Sequence, residues 1–220
     1  MSALDGGHLV VAIDGPAASG KSSVARALAQ QIGFDYVNSG AMYRAVTWHV
    51  LNNGVSPGDE PAIIQLLEKT RIDCTLDSHV SRILIDGIDP TPHLCDDRVN
   101  EEVSLVSSVP RLREILVEKM RGYAVDHDIV MEGRDIGSVV FPDTPYKFYI
   151  DASPDVRLRR RQAQGLRDQI AARDRADSSR RASPLIKAED AHVIDSSNLT
   201  IEEVVCEIVD QLKAKGMEIS

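Results

Sequence analysis

Gly15-Pro16-Ala17-Ala18-Ser19-Gly20-Lys21-Ser22 is the stretch that decides the fold, because it fits the phosphate-loop pattern GxxxxGK[ST]. Residues 9–13 before it form a short β-branched apolar run, typical of a buried parallel strand, and residues 24–32 after it have helical spacing. The glycines therefore lie on a strand-to-helix turn. At such a turn the loop amides and the helix N-terminus favour a polyphosphate.

This loop predicts a nucleoside triphosphate site. Lys21 is expected to reach the β- and γ-phosphates, and the Ser22 hydroxyl is the predicted protein ligand of Mg²⁺. The predicted ATP-binding residues are the loop and the serine that follows it: Gly15, Pro16, Ala17, Ala18, Ser19, Gly20, Lys21, Ser22 and Ser23.

The composition limits the classes of partner. The chain has 220 residues and a net charge of −9, which argues against a nucleic-acid polymer as its ligand. Apolar runs of about five residues are far shorter than the roughly 20 that a membrane span needs. No signal-peptide pattern opens the chain, and the three cysteines form no CxxC, so we expect a cytoplasmic protein with reduced thiols. Small molecules are the expected partners.

Strand-like and helix-like segments alternate along the chain. Short apolar runs predict parallel strands at residues 9–13, 34–37, 129–131, 147–150 and 192–194. Helical spacing predicts helices at residues 41–51, 61–69, 111–125, 154–164 and 201–213, and Thr200 with Glu203 is typical of a capping box. This order predicts a doubly wound α/β fold with a five-stranded parallel sheet flanked by helices.

Residues 71–95 break this alternation. Residues 71–76 and 81–86 alternate polar and apolar side chains with period two, and Asp77-Ser78-His79 can turn between them. The pattern favours a small antiparallel hairpin outside the parallel sheet. Two further core strands are the alternative.

Residues 156–181 contain nine arginines, no lysine and three acids. A solvated helix face is the ordinary explanation of a charge run. The planar guanidinium, however, suits phosphate oxygens better than a point charge does, and arginines that close over a transferring phosphoryl group stabilise its charge. We therefore predict an arginine-bearing lid at about residues 157–181.

Two polar clusters follow predicted strands. Residues 132–137 read Glu-Gly-Arg-Asp-Ile-Gly, and residues 38–44 read Asn-Ser-Gly-Ala-Met-Tyr-Arg. Ligands of open α/β sheets bind beyond the carboxyl ends of strands, so both clusters are expected at the site. Ser39 is predicted to cap the next helix, and Arg44 to reach a second phosphate. Capped helices with exposed salt bridges are the alternative.

Taken together, these segments resemble the bacterial cytidylate kinases of the nucleoside monophosphate kinase superfamily. The resemblance spans about residues 9–213 and is carried by five segments: IDGPAASGKSS at 13–23, NSGAMYRA at 38–45, VPRLRE at 109–114, EGRDIGSVVFPD at 132–143 and RASPL at 181–185. It implies a single P-loop kinase domain over residues 1–220, with three parts. These are a CORE sheet, a short LID and a monophosphate-binding subdomain at about 39–110 that carries the β insert at 71–95.

The resemblance also implies roles for individual residues. Ser104, Arg113 and Asp135 would surround the cytosine. Arg44, Arg134 and Arg180 would bind the acceptor phosphate beside Ser39 and Tyr43, and Arg173 and Asp177 would contact the ribose. The implied catalytic set is one lysine and four arginines: Lys21, Arg134, Arg157, Arg161 and Arg180.

Three positions depart from the family pattern. Asn38 and Glu132 stand where Asp is common, and Ser138 stands where Thr is common. None of them is an expected base-reading residue, so the departures bear only on metal and acceptor positioning.

The expected reaction is transfer of the γ-phosphoryl group of ATP to CMP and dCMP by a monomer, with no general base. A kinase of UMP, AMP or another small acceptor is the nearest alternative. A nucleotide-dependent regulatory switch is a more distant one, and the chain contains no NKxD guanine-reading motif.

Overall fold

A computed structural model describes residues 8–163 and 185–219. Within these residues the strands are β1 (Val10–Asp14), β2 (Asp35–Asn38), β3 (Ile72–Asp77), β4 (Val80–Ile85), β5 (Ile129–Gly133), β6 (Tyr146–Asp151) and β7 (His192–Asp195). The α-helices are α1 (Lys21–Ile32), α2 (Ser39–Asn52), α3 (Glu60–Leu67), α4 (Asp97–Val106), α5 (Pro110–Tyr123), α6 (Pro154–Ala163) and α7 (Ile201–Ala214).

The strands form one sheet in the order β3-β4-β2-β5-β1-β6-β7. Its last five members are parallel and are the five strands that the sequence predicts, which confirms the α/β fold. β1 lies between β5 and β6, with Val10 opposite Ile129 and Val11 opposite Tyr146. The loop that follows β1 therefore leaves the sheet near its centre.

Both faces of the sheet are covered, which explains why β1 is apolar without alternation. Val10 and Ala12 belong to a core cluster with α2 and α5, whereas Val11 and Ile13 belong to a second cluster with α1 and α7. Successive side chains of a strand point to opposite faces, so one run of β1 supplies both cores.

The predicted hairpin is antiparallel, with Ile72 opposite Ile85 and Asp77 opposite Val80. Ser78 and His79 make its two-residue turn with positive φ values of 50° and 64°, as a tight hairpin of this twist requires. The hairpin was expected outside the parallel sheet, but it continues that sheet at its edge, where Tyr36 and Val80 form one parallel pair.

The predicted capping box is confirmed, since the Thr200 hydroxyl accepts from Glu203 N and Thr200 N donates to the Glu203 carboxylate. Helix α4 was not predicted, although Val99, Val103 and Val106 are buried at helical spacing. Among the described helices, none combines the length and apolar character needed to cross a membrane.

Candidate active site

The phosphate loop lies at the carboxyl end of β1, as predicted, and glycine is required at its start. A Cβ on Gly15 would lie 2.1 Å from the Ile150 carbonyl oxygen of β6. Gly20, with φ of 92°, turns the chain into α1. Between them the Ser19 hydroxyl is fully buried and has no hydrogen-bond partner among the described residues. Such an atom is suited to a bound anion or water.

Two basic side chains, one from the loop itself and one from α6, donate hydrogen bonds to backbone carbonyls of the loop. Lys21 is buried, and its Nζ donates to the Pro16 carbonyl at 3.1 Å. Arg157 is also buried and donates to the carbonyls of Ala152 (3.1 Å) and Ala17 (3.4 Å). Arg157 thus contacts the backbone of the loop.

Arg160 was not among the predicted site residues, yet it connects the loop to the segment after β7. It donates to the Ser19 carbonyl at 3.1 Å and to the Ser196 carbonyl at 2.7 Å. Ser196 Oγ donates to the same Ser19 carbonyl at 2.8 Å. The two residues border a cavity that also includes Leu199 and Thr200. Arg160 and Ser196 are 36 residues apart, so no local sequence pattern indicates that they are in contact.

A second cavity lies between β2, β5, α2 and α5. Its wall includes Tyr43, Arg44, Ser107, Arg113 and Asp135, and it opens toward Lys21 and Ser22 of the loop. The sequence-predicted clusters 38–44 and 132–137 therefore meet at one place, as expected.

At one end of this cavity Arg113 and Asp135 form a buried ion pair, being only 4% and 2% exposed. Arg113 also donates to the Ser107 carbonyl at 3.2 Å and stands 5.1 Å over the centre of the Tyr43 ring. Its Nε is buried without a partner among the described residues. The orientation of the guanidinium is thus fixed, and its Nε–H remains available as a donor.

Arg44 and Arg134 bring two more guanidinium groups to the cavity. Arg44 is half-buried and makes no hydrogen bond or ion pair with a described residue; burial lowers its pKa, which the Glu132 carboxylate partly offsets. A Cβ on Gly40 would lie 3.2 Å from Arg44 NH1, so glycine leaves space for this side chain. Arg134 donates to the Gly15 carbonyl at 2.6 Å.

The predicted role of Ser39 as a helix cap is wrong. Asn38 caps α2, with its Oδ1 accepting from Ala41 N at 2.9 Å. Ser39 Oγ instead donates to the Glu132 carbonyl at 2.7 Å. A Cβ on Gly133 would lie only 2.5 Å from this Ser39 Oγ, so glycine is needed at position 133.

Hard oxygen ligands lie beside the loop. Ser22 Oγ donates to Glu132 Oε1 at 2.8 Å, and the Tyr36 hydroxyl lies 3.5 Å from the same oxygen. Hydroxyl and carboxylate oxygens are ligands that Mg²⁺ accepts, so this pair fits the cation. Within residues 8–163 and 185–219 there is no cluster of three His, Cys, Asp or Glu side chains of the kind that holds a metal ion by protein ligands alone.

The remaining predicted residues lie in three places. Ser104 is half-buried on α4, between the cavity-lining residues Val103 and Ser107. Arg161 borders the outer mouth of the phosphate loop together with Cys95. Three predicted residues lie outside the described residues: Arg173, Asp177 and Arg180.

Comparison with known proteins agrees with this architecture. A family model described as cytidylate kinase matches residues 11–214. The cytidylate kinase of Pelotomaculum thermopropionicum is 43% identical, over 94% of this chain and 97% of its own, and that of Corynebacterium efficiens is 41% identical, over 96% and 97%. Among solved structures, the TT1252 protein of Thermus thermophilus aligns with a TM-score of 0.50 at 17% identity, over 96% of this chain and 99% of that one, a likeness of fold alone.

Proposed function

This chain belongs to the cytidylate kinase family, and on this premise we propose that it transfers the γ-phosphoryl group of ATP to CMP, and also to dCMP. The products are ADP and CDP or dCDP. The buried pair of Arg113 and Asp135 is the observation that carries the choice of base.

The pair offers one donor and one acceptor at a buried position. Asp135 accepts from the exocyclic amine of cytosine, while Arg113 donates to the O2 and N3 edge. Uracil would present a carbonyl to Asp135, leaving two acceptors face to face, which is costly in a buried site. Ser104 assists from α4.

The acceptor phosphate binds between Arg44 and Arg134. Arg44 supports this assignment because burial lowers the pKa of its guanidinium and the Glu132 carboxylate offsets this only in part, so a bound anion would stabilise the charge. Ser39 and Tyr43 line the same space, and the lid residues Arg173, Asp177 and Arg180 complete it around the ribose and phosphate. The acceptor oxygen is already nucleophilic, so no general base is required.

The donor triphosphate occupies the phosphate loop, residues 15–23, with Lys21 at its β- and γ-phosphates. The donor base occupies the cavity beside Arg160, Ser196 and Leu199, because this cavity adjoins the loop on the side away from the acceptor. Arg157 keeps the loop in place, and Arg161 joins Lys21 and Arg134 in stabilising the transferred charge.

Ser22 would hold Mg²⁺ through its hydroxyl, and Glu132, whose Oε1 accepts from that hydroxyl at 2.8 Å, would supply a carboxylate beside the cation. The cation neutralises phosphate charge when it is bound.

The chain works as one kinase domain in three parts. The monophosphate-binding subdomain is at about residues 39–110, including the hairpin within 71–95, and the lid is at about 157–181. Closing such a lid over both nucleotides excludes water from the transfer. We further propose a cytoplasmic monomer.

A coupled assay tests the function by offering ATP with CMP, dCMP, UMP, AMP and GMP separately. The expected result is rapid ADP formation with CMP and dCMP, weaker turnover with UMP, and little with purine nucleotides. Turnover with AMP or GMP and none with CMP would overturn the proposal. ATP hydrolysis that no nucleotide stimulates would favour a regulatory switch instead.

A further inference from the structure

We infer that Asp14 is a positioning residue that holds the base-reading turn, residues 134–137, at a fixed distance from the phosphate loop. This inference rests on the proposed function, since it takes Asp135 to read the acceptor base. Asp14 ends β1, directly before Gly15, and it does not line the cavities assigned to the acceptor and the donor. It is 4% exposed, among the most buried carboxylates of the described residues.

Both oxygens of the Asp14 carboxylate are used. Oδ1 accepts from the Ile136 amide at 2.8 Å, and Oδ2 accepts from the Gly137 amide at 2.8 Å. These amides open a single π-helical turn, Ile136–Val140, whose first residue directly follows Asp135. Above about pH 7, where the Asp14 carboxylate is ionised, such hydrogen bonds are about twice as strong as neutral ones. The carboxylate therefore fixes the backbone on the C-terminal side of Asp135.

A second set of contacts fixes the N-terminal side. Gly133 pairs with Asp14 in the parallel ladder, and Arg134 donates to the Gly15 carbonyl at 2.6 Å. The turn is thus attached to residues 14 and 15 both before and after Asp135. Direct phosphoryl transfer needs donor and acceptor at a set distance and angle. A rigid connection between the loop and the turn meets that need.

The burial of Asp14 disfavours its ionised form and so carries a cost in folding free energy. Desolvation raises the pKa of Asp14 to about 7 against the opposing effect of the two amide hydrogen bonds; neighbouring Asp135 raises it further and Lys21 lowers it. An apolar residue would avoid that cost but would leave two buried amides without acceptors. Close packing adds to the constraint, since a Cβ on Gly137 would lie 3.1 Å from Lys147 Cγ and in van der Waals contact with Asp14 Oδ2.

The test is Asp14→Asn, measured by kcat/KM for CMP and for UMP in the coupled assay. Asn keeps the shape but has one oxygen, so its NH₂ group would face the second amide and displace the turn. The CMP-to-UMP ratio of kcat/KM should fall at least fivefold, with a higher KM for CMP. A merely structural loss would lower the active fraction for both substrates equally and would leave the ratio unchanged.

Asp128→Asn is the matched control. Asp128 also accepts from a backbone amide, that of Leu9 at 2.6 Å, but at the opposite end of β1. This variant should keep the wild-type ratio.

A folded Asp14→Asn enzyme with the wild-type ratio would overturn the inference. If Asp14→Asn does not fold, Asp14→Glu, which retains both oxygens one methylene further out, replaces it. The same fall is expected there, and an unchanged ratio overturns the inference equally. Failure of the proposed function is a separate result, because wild-type enzyme itself would then show no preference for CMP.

Discussion

Replacing Asp135 by Asn should change the preference of the enzyme between cytosine and uracil. The substitution retains the shape of the side chain, removes its charge, and turns one acceptor oxygen into an NH₂ donor that can face the O4 carbonyl of uracil. Two effects follow, one on stability and one on specificity, and they are measured separately.

The effect on stability comes from Arg113. Both members of the pair are less than 5% exposed, so neutralising Asp135 leaves a buried guanidinium without its counter-charge. Removing one partner of a buried ion pair costs about 3–5 kcal/mol, and the remaining bond to the Ser107 carbonyl offsets only part of this. We expect the free energy of unfolding in urea to fall by about 3 kcal/mol.

The effect on specificity comes from the base. Losing a hydrogen bond to a charged group costs about 1.5–3 kcal/mol, so kcat/KM for CMP should fall at least about tenfold. UMP should lose less or gain, and the CMP-to-UMP ratio must therefore fall. The coupled assay measures both substrates on one enzyme preparation.

Glu114→Gln provides the control on the same helix as Arg113. Glu114 pairs with Arg111 at 2.9 Å, but both side chains are more than half exposed, so the change should cost less than about 1 kcal/mol and leave the ratio unchanged. An equal loss for CMP and UMP in Asp135→Asn would refute the reasoning. It would mean that Asp135 acts only by holding Arg113 and does not read the base.

Three further changes test other parts of the site. Lys21→Ala should lower kcat at least about a hundredfold, since it removes a preorganised donor to the transferring group, while circular dichroism stays native; near-normal turnover would contradict the phosphate-loop assignment. Below about pH 7 the folded protein holds a proton on Asp14 that the unfolded chain releases above about pH 4, so the stability of wild type relative to Asp14→Asn should fall by about 3 kcal/mol as pH rises from 5 to 8, measured by urea unfolding. A flat difference would show that Asp14 has an ordinary pKa. Gly40→Ala places a Cβ 3.2 Å from Arg44 NH1 and should raise the KM for CMP several-fold, whereas Gly122→Ala, with open space around the new methyl group, should not.

The sequence predicted the framework well because burial on both faces of a parallel sheet imposes continuous apolar runs. All five parallel strands and the phosphate loop follow from such runs and from glycine spacing. Helix α4 was missed although Val99, Val103 and Val106 have helical spacing. The antiparallel hairpin was predicted, but its single pair with β2 was not, since one bridge leaves no pattern in the sequence.

The candidate site was predicted less completely, because the local sequence does not determine which groups a side chain will hydrogen-bond with. Asn38 and Ser39 are both good caps, and only the position of the Glu132 carbonyl decides that Ser39 turns toward β5 instead. The bond from Arg160 to Ser196 and the contacts of Asp14 with residues 136 and 137 join segments that are distant in the chain. Such contacts depend on strand order, which a single sequence does not specify.

The arginines of the acceptor cavity favour an anionic acceptor. Arg113 is neutralised by Asp135, but Arg44 is half-buried and forms no ion pair with any described residue. Burial lowers the pKa of Arg44 and the Glu132 carboxylate offsets this only in part, so a bound anion would stabilise the guanidinium further. A phosphate placed between Arg44 and Arg134 therefore adds binding energy that a neutral nucleoside cannot obtain. On the proposed function, the contact of Asp135 with the base would select cytosine, whereas Arg44 and Arg134 would select the monophosphate over the nucleoside.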